Sequence, residues 1–367
     1  MFRRIDGAIV LTIGKALKFK KEERVMEERV SQEIKKEEKQ TGDFRSDSNF
    51  LLGYFEEKDG ALLYRYDAER LIIEPWGENS FRVRATKLAK MPEEDWALQE
   101  KKTGNSQVTI NQYSAEIVNG KIKAVINNIG KIFFYNQKGE LLLEEFVRNR
   151  EDMFADTCSS LLIEAREFKP LIGGDYALSM RFVSNPDEKI YGMGQYQQHE
   201  LDLKGCMLEL AQRNSQVSVP FYLSSIGYGF LWNNPGVGQV MFANNGTEWV
   251  TESGKEIDYL VIAGDTPAEI EENYMTLTGK PPMMPEYGMG FWQCKLRYWN
   301  QEQLLSVARK YKELGVPLDV IVVDFFHWTK QGEFKFDPKY WPDVPGMCRE
   351  LKEMGIQVVV SVWPTVD

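Results

Sequence analysis

The sequence predicts a multidomain chain, all-β first and α/β last. A β-sandwich is expected over residues 48–280 and the first three strands of an incomplete (β/α)8 barrel over 281–367, behind a charged segment at 1–47. Two changes of pattern predict this. Short alternating runs with turn signals between them fill the middle of the chain, as antiparallel strands require. After Pro281, Pro282 and Pro285 the alternation gives way to apolar runs separated by amphipathic helix patterns, which is the grammar of parallel βαβ units.

Composition sets the outer bounds. Of 367 residues, 43% are hydrophobic and 27% charged, as in an ordinary globular protein of two or three domains. The net charge of −10 argues against nucleic acid or an anionic membrane as partner. Cys158, Cys206, Cys294 and Cys348 are widely spaced with no CxxC pair, which predicts reduced, buried thiols and a cytoplasmic protein. His199 and His327 are the two histidines, too few for a His-based metal cluster, and neither a metal nor an organic cofactor is expected. The opening Met1-Phe2-Arg3-Arg4 and the apolar residues 8–13 are interrupted by Asp6 and lack a cleavage site, so no signal peptide is expected.

Residues 15–42 are dense in Lys, Glu and Arg. Val25 or Met26, Val30 and Ile34 form a thin apolar stripe, and Arg29 with Glu33 is an i,i+4 pair. The segment reads as a helical arm for self-association or as a solvated helix lightly packed on the next domain. Strands are then predicted at 61–66, 71–74, 80–85, 107–111, 115–118, 121–126, 131–134 and 141–145, with a hairpin loop at 135–140. Residues 190–236 hold a turn at Gly192 and Gly194, a polar loop through Asn214, and the strand pair VPFYLSS and YGFLWNN. Thr266 is an N-cap, with Pro267 at the first helical position and Glu269 three beyond the cap. Ile270, Tyr274 and Leu277 mark the inner face of that helix. The proline-rich linker that follows sets a domain boundary near 280.

The last part predicts three strands and two helices. Residues 288–294 form a short apolar run that reads as a buried strand. Asn300 caps the next helix with Gln303 as capping-box partner; Leu304, Leu305, Ala308, Tyr311 and Leu314 share one face, and Gly315 stops it. Residues 318–323 are near-continuously apolar, as in a parallel strand buried on both faces. Val344, Met347, Leu351 and Met354 mark the second helix, Gly355 ends it, and 356–362 is the third strand.

Polar and aromatic residues gather where these strands end. Asp324 closes the second and is followed by Phe325, Phe326, His327 and Trp328; Trp363 closes the third; Lys295, Arg297, Tyr298 and Trp299 follow the first. Active sites of (β/α) barrels lie at that end. Sugar rings stack on aromatic rings while carboxylates accept from sugar hydroxyls, so one Asp among Trp and Phe suits a carbohydrate. The competing role for Asp324 is a hydrogen-bonded structural carboxylate, and for Phe326 and Trp363 core packing. Asp319 sits at the opposite end of its strand. Asp337 and Asp343 have the setting of turn and cap residues, Glu333 is expected to be exposed, and His327 to pack.

GFWQCKLRYWNQEQ, PLDVIVVDFFHW, FKFDPKYWPDVPGM and VVVSVWPTVD together resemble the glycoside hydrolases of family 31, the α-xylosidase branch most closely. IIEPWGENSFRVRATK and KIFFYNQKGELLLEE are similar to that family's N-terminal galactose-mutarotase-like sandwich. The resemblance implies a TIM barrel and a retaining, exo-acting α-glycosidase that removes terminal α-linked xylose or glucose from oligosaccharides. It also implies that Asp324 binds sugar hydroxyls and that Phe326 and Trp363 wall the same subsite, with Lys295 beside them. A loop of the sandwich is implied to reach the barrel mouth, which makes Gln195, Asp202, Lys204, Arg213 and Asn214 candidate contacts.

The nucleophile and the acid/base are implied after the fourth and sixth barrel strands, beyond Asp367. No catalytic residue is therefore expected within the 367 residues, and the chain alone is expected to be inactive. A homo-oligomer or a second chain completing the barrel is a further expectation. The alternatives are a non-catalytic carbohydrate- or partner-binding sandwich, and one chain of a split glycosidase.

Overall fold

The computed structural model describes residues 54–93, 95, 97–100, 105–148 and 160–365. The predicted helical arm, Cys158 and Asp367 lie outside them. The strands are, in chain order, β1 (Tyr54–Lys58), β2 (Ala61–Tyr66), β3 (Glu69–Pro75), β4 (Ser80–Thr86), β5 (Gln107–Ile110), β6 (Ser114–Asn119), β7 (Ile122–Asn127), β8 (Ile132–Asn136), β9 (Leu141–Glu144), β10 (Arg166–Pro170), β11 (Tyr176–Phe182), β12 (Ile190–Gln195), β13 (Met207–Leu210), β14 (Val217–Ser224), β15 (Tyr228–Trp232), β16 (Gly238–Ala243), β17 (Gly246–Gly254), β18 (Ile257–Ala263), β19 (Trp292–Gln293), β20 (Val320–Val323) and β21 (Gln357–Val360). The helices are α1 (Pro267–Thr278), α2 (Gln301–Glu313) and α3 (Val344–Glu353). The chain divides into two compact units between Gly279 and Lys280.

The first unit is antiparallel throughout. An eight-stranded sheet runs in the order β1-β2-β3-β4-β18-β15-β14-β12, a five-stranded sheet in the order β10-β11-β17-β16-β13, and a second five-stranded sheet follows the chain from β5 to β9. Alternation drives this pairing: in β6 every second side chain is buried, and in β7 the pattern is complementary. One apolar cluster joins all three sheets, from Leu62 and Phe81 through Ile117 and Phe134 to Leu178 and Trp249. Its centre is a layer of rings. Phe230 lies 5.1 Å from Trp249 and 5.3 Å from Tyr259, and Tyr222 meets Phe242 edge-on at 5.4 Å. The helix α1 is capped as its sequence predicts, Thr266 Oγ1 accepting from the Glu269 N–H at 3.2 Å. It buries Ile270 and Leu277 and stacks Tyr274 on Phe221 at 3.9 Å.

One feature of this unit differs from the sequence reading. Gly192 and Gly194 lie within β12 at a bulge against β14, rather than in a turn. Gly194 has φ +92°, and a Cβ there would stand 2.2 Å from the Val217 carbonyl oxygen, so the edge strand closes only over glycine. Of the candidate loop contacts, Asp202 accepts from the Ile190 and Lys204 N–H groups, and Lys204 faces buried Glu188 at 3.5 Å. Both serve the sandwich itself, and Arg213 is engaged with Glu209 at 2.6 Å.

Charge is buried here in closed sets. Glu145, fully shielded, accepts from Arg166, from the Ile132 N–H at 3.1 Å and from the Tyr259 hydroxyl at 3.1 Å. Arg166 completes its donors on Glu69 at 2.6 Å and the Gly130 carbonyl at 2.8 Å.

The second unit is a three-stranded parallel sheet, β19-β20-β21, with α2 and α3 as crossovers. Asn300 Oδ1 accepts from the Gln303 N–H at 2.8 Å, and Gln303 Oε1 accepts from the Trp299 N–H at 2.7 Å. Leu304, Leu305 and Ala308 of α2 pack with Ile321, Val323, Met347 and Leu351, while Leu314, on the predicted face, is 63% exposed because it is already the C-cap. Asp343 caps α3 through the Gly346 N–H at 2.9 Å. The predicted first strand is the main correction. Residues 286–289 form a 3-10 turn and only Trp292–Gln293 pair, with Phe291 and Trp292 exposed. Gly290 explains the short pairing: it passes so close to Asp319 that a Cβ would meet the carboxyl at 2.2 Å, and the Phe291 N–H is bound by Asp319 Oδ2 at 2.9 Å. The cysteines are a second correction, since Cys294 and Cys348 are exposed and Cys206 is half-buried, all three free. Cys348 lies on the outer side of α3 and Cys294 at a strand end, where no second layer covers them among the described residues. No helix among the described residues is long and apolar enough to cross a membrane.

The buried groups make stability testable. Glu145→Ala leaves the buried Arg166 guanidinium with Glu69 and the Gly130 carbonyl alone, strips the Tyr259 hydroxyl of its acceptor, and is expected to lower unfolding stability by about 3 kcal/mol. The double change Glu145→Leu with Arg166→Met should recover much of that loss, as read from urea midpoints. Burial holds the His327 imidazole below its ordinary value of 6.5. The unfolded chain therefore binds the extra proton first, and the contribution present above 6.5 is lost as pH falls toward the folded value. His327→Gln should flatten that part of the stability–pH curve, measured by thermal unfolding.

Candidate functional site

The strand register of the second unit decides where its chemistry lies. Trp292 pairs with Val320, and Val320 to Val323 pair one for one with Gln357 to Val360. The last bond of the ladder runs from the Ser361 N–H to the Val323 carbonyl at 2.9 Å. Asp324 is the next residue, half-buried at the rim where β20 and β21 finish.

Its carboxylate is oriented locally. Oδ1 accepts from the Phe325 N–H at 2.8 Å, and Oδ2 faces the Cys294 thiol at 3.9 Å. Burial and the Asp324 charge push the Cys294 thiol up, so it stays protonated and presents S–H to the carboxylate. His327, 4% exposed, closes the turn through an Nδ1 contact to the Asp324 carbonyl at 3.1 Å.

Rings gather on the residues that follow Asp324. Phe325 stacks on Trp363 at 5.2 Å and 11°. Phe326 lies 4.4 Å from Phe325 and 6.5 Å from Trp363, and its ring is 52% exposed. The Arg297 guanidinium sits 3.9 Å over Trp299 and 5.1 Å from the Phe326 ring. Phe326 has φ +62°, an outlier for a bulky side chain, and such strain gathers at ligand sites. Phe326 and Trp363 line one open depression with Trp328, Thr329, Lys330 and Gln331. Asp324 and Lys295 are not part of that lining. Lys295 is exposed on the loop after β19.

The other carboxylates are occupied elsewhere. Asp319 holds the Phe291 N–H at the opposite strand end, Asp337 caps a turn at the Lys339 N–H, and Asp343 caps α3. Glu333 is only half-exposed, tied to Thr329 and to Lys335 at 3.0 Å. Among the described residues no group of His, Cys, Asp and Glu is arranged to hold a metal. Cys294 gains a site position that sequence reasoning did not give it, while Phe325 and Arg297, placed at the strand ends by the sequence, gain specific partners. The odd residue of an otherwise apolar strand run and the doubled Phe were the available signals.

Comparison with known proteins identifies both domain types. Residues 70–240 match the glycosyl hydrolase 31 N-terminal galactose mutarotase-like domain, and residues 281–367 match the glycosyl hydrolases family 31 TIM-barrel domain. An uncharacterized family 31 glucosidase from Pseudescherichia vulneris is 48% identical over 85% of this chain and 60% of its own length. An α-xylosidase from Saccharolobus solfataricus is 37% identical over 52% of this chain and 28% of its own. The crystal structure of a GH31 α-xylosidase from a soil metagenome, complexed with xylose, superposes with a TM-score of 0.81 at 53% identity, over 86% of this chain and 48% of that one. The chain thus spans roughly half the length of such relatives. With both domain types matched and in this order, the chain belongs to glycoside hydrolase family 31.

Proposed function

We propose that this chain forms part of a retaining, exo-acting α-glycosidase that removes terminal α-linked xylose from oligosaccharides, with α-linked glucose as the second substrate class. The observation that carries it is the Asp324 carboxylate at the end of β20, followed in the chain by Phe325, which stacks on Trp363, and by the exposed Phe326. That combination offers a hydroxyl acceptor and an apolar platform, the two things a pyranose requires. Relatives named α-xylosidases, one of them solved with xylose, support the xylose reading, and the relative named a family 31 glucosidase supports the glucose one.

In this reading Asp324 binds ring hydroxyls, Phe326 and Trp363 wall the subsite, and Lys295 reaches the sugar from the first strand end. Retention needs two carboxyl groups about 5–5.5 Å apart. Among the described residues, Asp324 is the one carboxylate at this rim that is free of turn, cap and loop duties, and one carboxylate cannot fill both roles. Nucleophile and acid/base are therefore assigned to barrel strands outside the described residues. The free cysteines fit a reducing cytoplasmic setting.

Two measurements test this. In a chain carrying the complete barrel, Asp324→Asn should reduce kcat/KM on an aryl α-xyloside about tenfold or more, since a hydrogen bond to a charged group contributes about 1.5–3 kcal/mol. Unchanged kcat/KM would remove Asp324 from the site. The 367-residue chain alone should release no xylose above background; steady release would place both catalytic carboxyls within it.

A further inference from the structure

Arg297 and Trp299 flank Tyr298 in the loop between β19 and α2. Tyr298 is 4% exposed, belongs to the apolar core of the second unit, and accepts from Gln293 Nε2 at 3.2 Å. Its two neighbours turn outward, Arg297 half-buried and Trp299 60% exposed. The Trp299 N–H is bound by Gln303 of the capping box that starts α2, so the pair stands on a fixed base.

The Arg297 guanidinium lies over Trp299 at 3.9 Å and over Phe326 at 5.1 Å, but its N–H groups meet no carboxylate or carbonyl among the described residues. Asp324 stands on the same rim and forms no ion pair with it. A guanidinium only donates, through N–H bonds that lie in one plane. Rings against its face hold that plane still and leave its edge free, so a ligand would find the donors already oriented. Rings scattered singly over a surface need no explanation. Trp299 differs because it carries this cation and adjoins Phe326 through it. Neither Arg297 nor Trp299 lines the depression at Phe326 and Trp363, so the two extend the site beyond it.

We propose that Arg297 binds the leaving-group sugar, the unit to which the terminal xylose or glucose is attached, and that Trp299 is the positioning residue that holds its guanidinium. The inference rests on the glycosidase reading, in which Asp324, Phe326 and Trp363 take the terminal sugar. Arg297 meets that set across the Phe326 ring, which puts its donors at the border of the subsite, where the next sugar begins. A neutral pyranose supplies acceptors there in its hydroxyl and ring oxygens. One face of Trp299 is already covered by the cation, so its part is to hold Arg297.

The test uses the chain carrying the complete barrel and two substrates with the same terminal sugar. One is an α-xylosyl-glucose disaccharide; the other is α-D-xylopyranosyl fluoride, whose leaving group is a single atom. The readout is the ratio of kcat/KM on the disaccharide to kcat/KM on the fluoride, from which any unfolded fraction of a variant cancels. Arg297→Met keeps the stem on the rings and removes the donors, and should lower the ratio about tenfold or more. Trp299→Ala should lower it in the same direction, and Trp299→Phe should restore it. Added to Arg297→Met, Trp299→Ala should change the ratio by less than about twofold, because a ring that acts through the cation has nothing left to hold. An unchanged ratio in Arg297→Met overturns the proposal, and so does a Trp299 effect that persists in full without the arginine. Both failures differ from failure of the glycosidase reading. That reading falls if the parent hydrolyses neither substrate, or if Asp324→Asn hydrolyses both at the parent's rate, and this inference then falls with it.

Discussion

A parallel strand paired on both edges has no place for chemistry until its last ladder bond is made. That constraint organises the second unit. The strand β20 pairs residue for residue with β21 and the two finish together; β19 pairs over two residues and ends opposite Ile321, from where the chain runs on to bring Cys294 to Asp324. Asp324, Cys294 and Trp363 come from separate stretches of chain, yet the common register delivers them to one rim. The helices serve that register: α2 and α3 bury a continuous apolar stripe against Ile321 and Val323, and their side-chain caps fix where each crossover begins.

The sandwich solves a different problem. Its aromatic layer lies at the centre of the core, but charges lie within the same unit, and each is closed by several partners. Arg82 with Asp258, Arg166 with Glu145, and Lys204 with Glu188 are such sets. Desolvated charges tolerate no vacancy among their partners, so these pairs hold the sheets in one registry more strictly than apolar contact alone. Glu256 departs from that rule beside the same strands: its Oε2 is shielded and has no hydrogen-bond partner among the described residues.

Much of this was legible in the sequence, and the reasons are local. The strand β2 occupies the predicted residues 61–66 because alternation and the following turn act over short range. All three helix caps were readable, since Thr266, Asn300 and Asp343 bind N–H groups three residues on. The rim position of Asp324 followed from the end of an apolar run. What was not legible depends on distant partners. Residues 288–294 are apolar enough for a strand, but the close approach of Gly290 to Asp319 decides their path. Gly192 and Gly194 read as a turn because no sequence rule distinguishes a turn from a bulge that β14 imposes. The Arg297 position over two rings, and the missing partner of Glu256 Oε2, emerge only when strands far apart in sequence meet.

Phe326 carries a longer consequence. A left-handed backbone costs an L-residue with a Cβ roughly 1–2 kcal/mol, and glycine almost nothing. The backbone alone therefore favours glycine at this position, and the ring is held against that preference by Phe325, Trp328, Trp363 and the Arg297 guanidinium. On the glycosidase reading proposed above, a sugar on its exposed face supplies the remaining reason to keep it. A lineage that stopped using the subsite would then lose that reason first, while the packing partners still held a residue that the backbone itself disfavours.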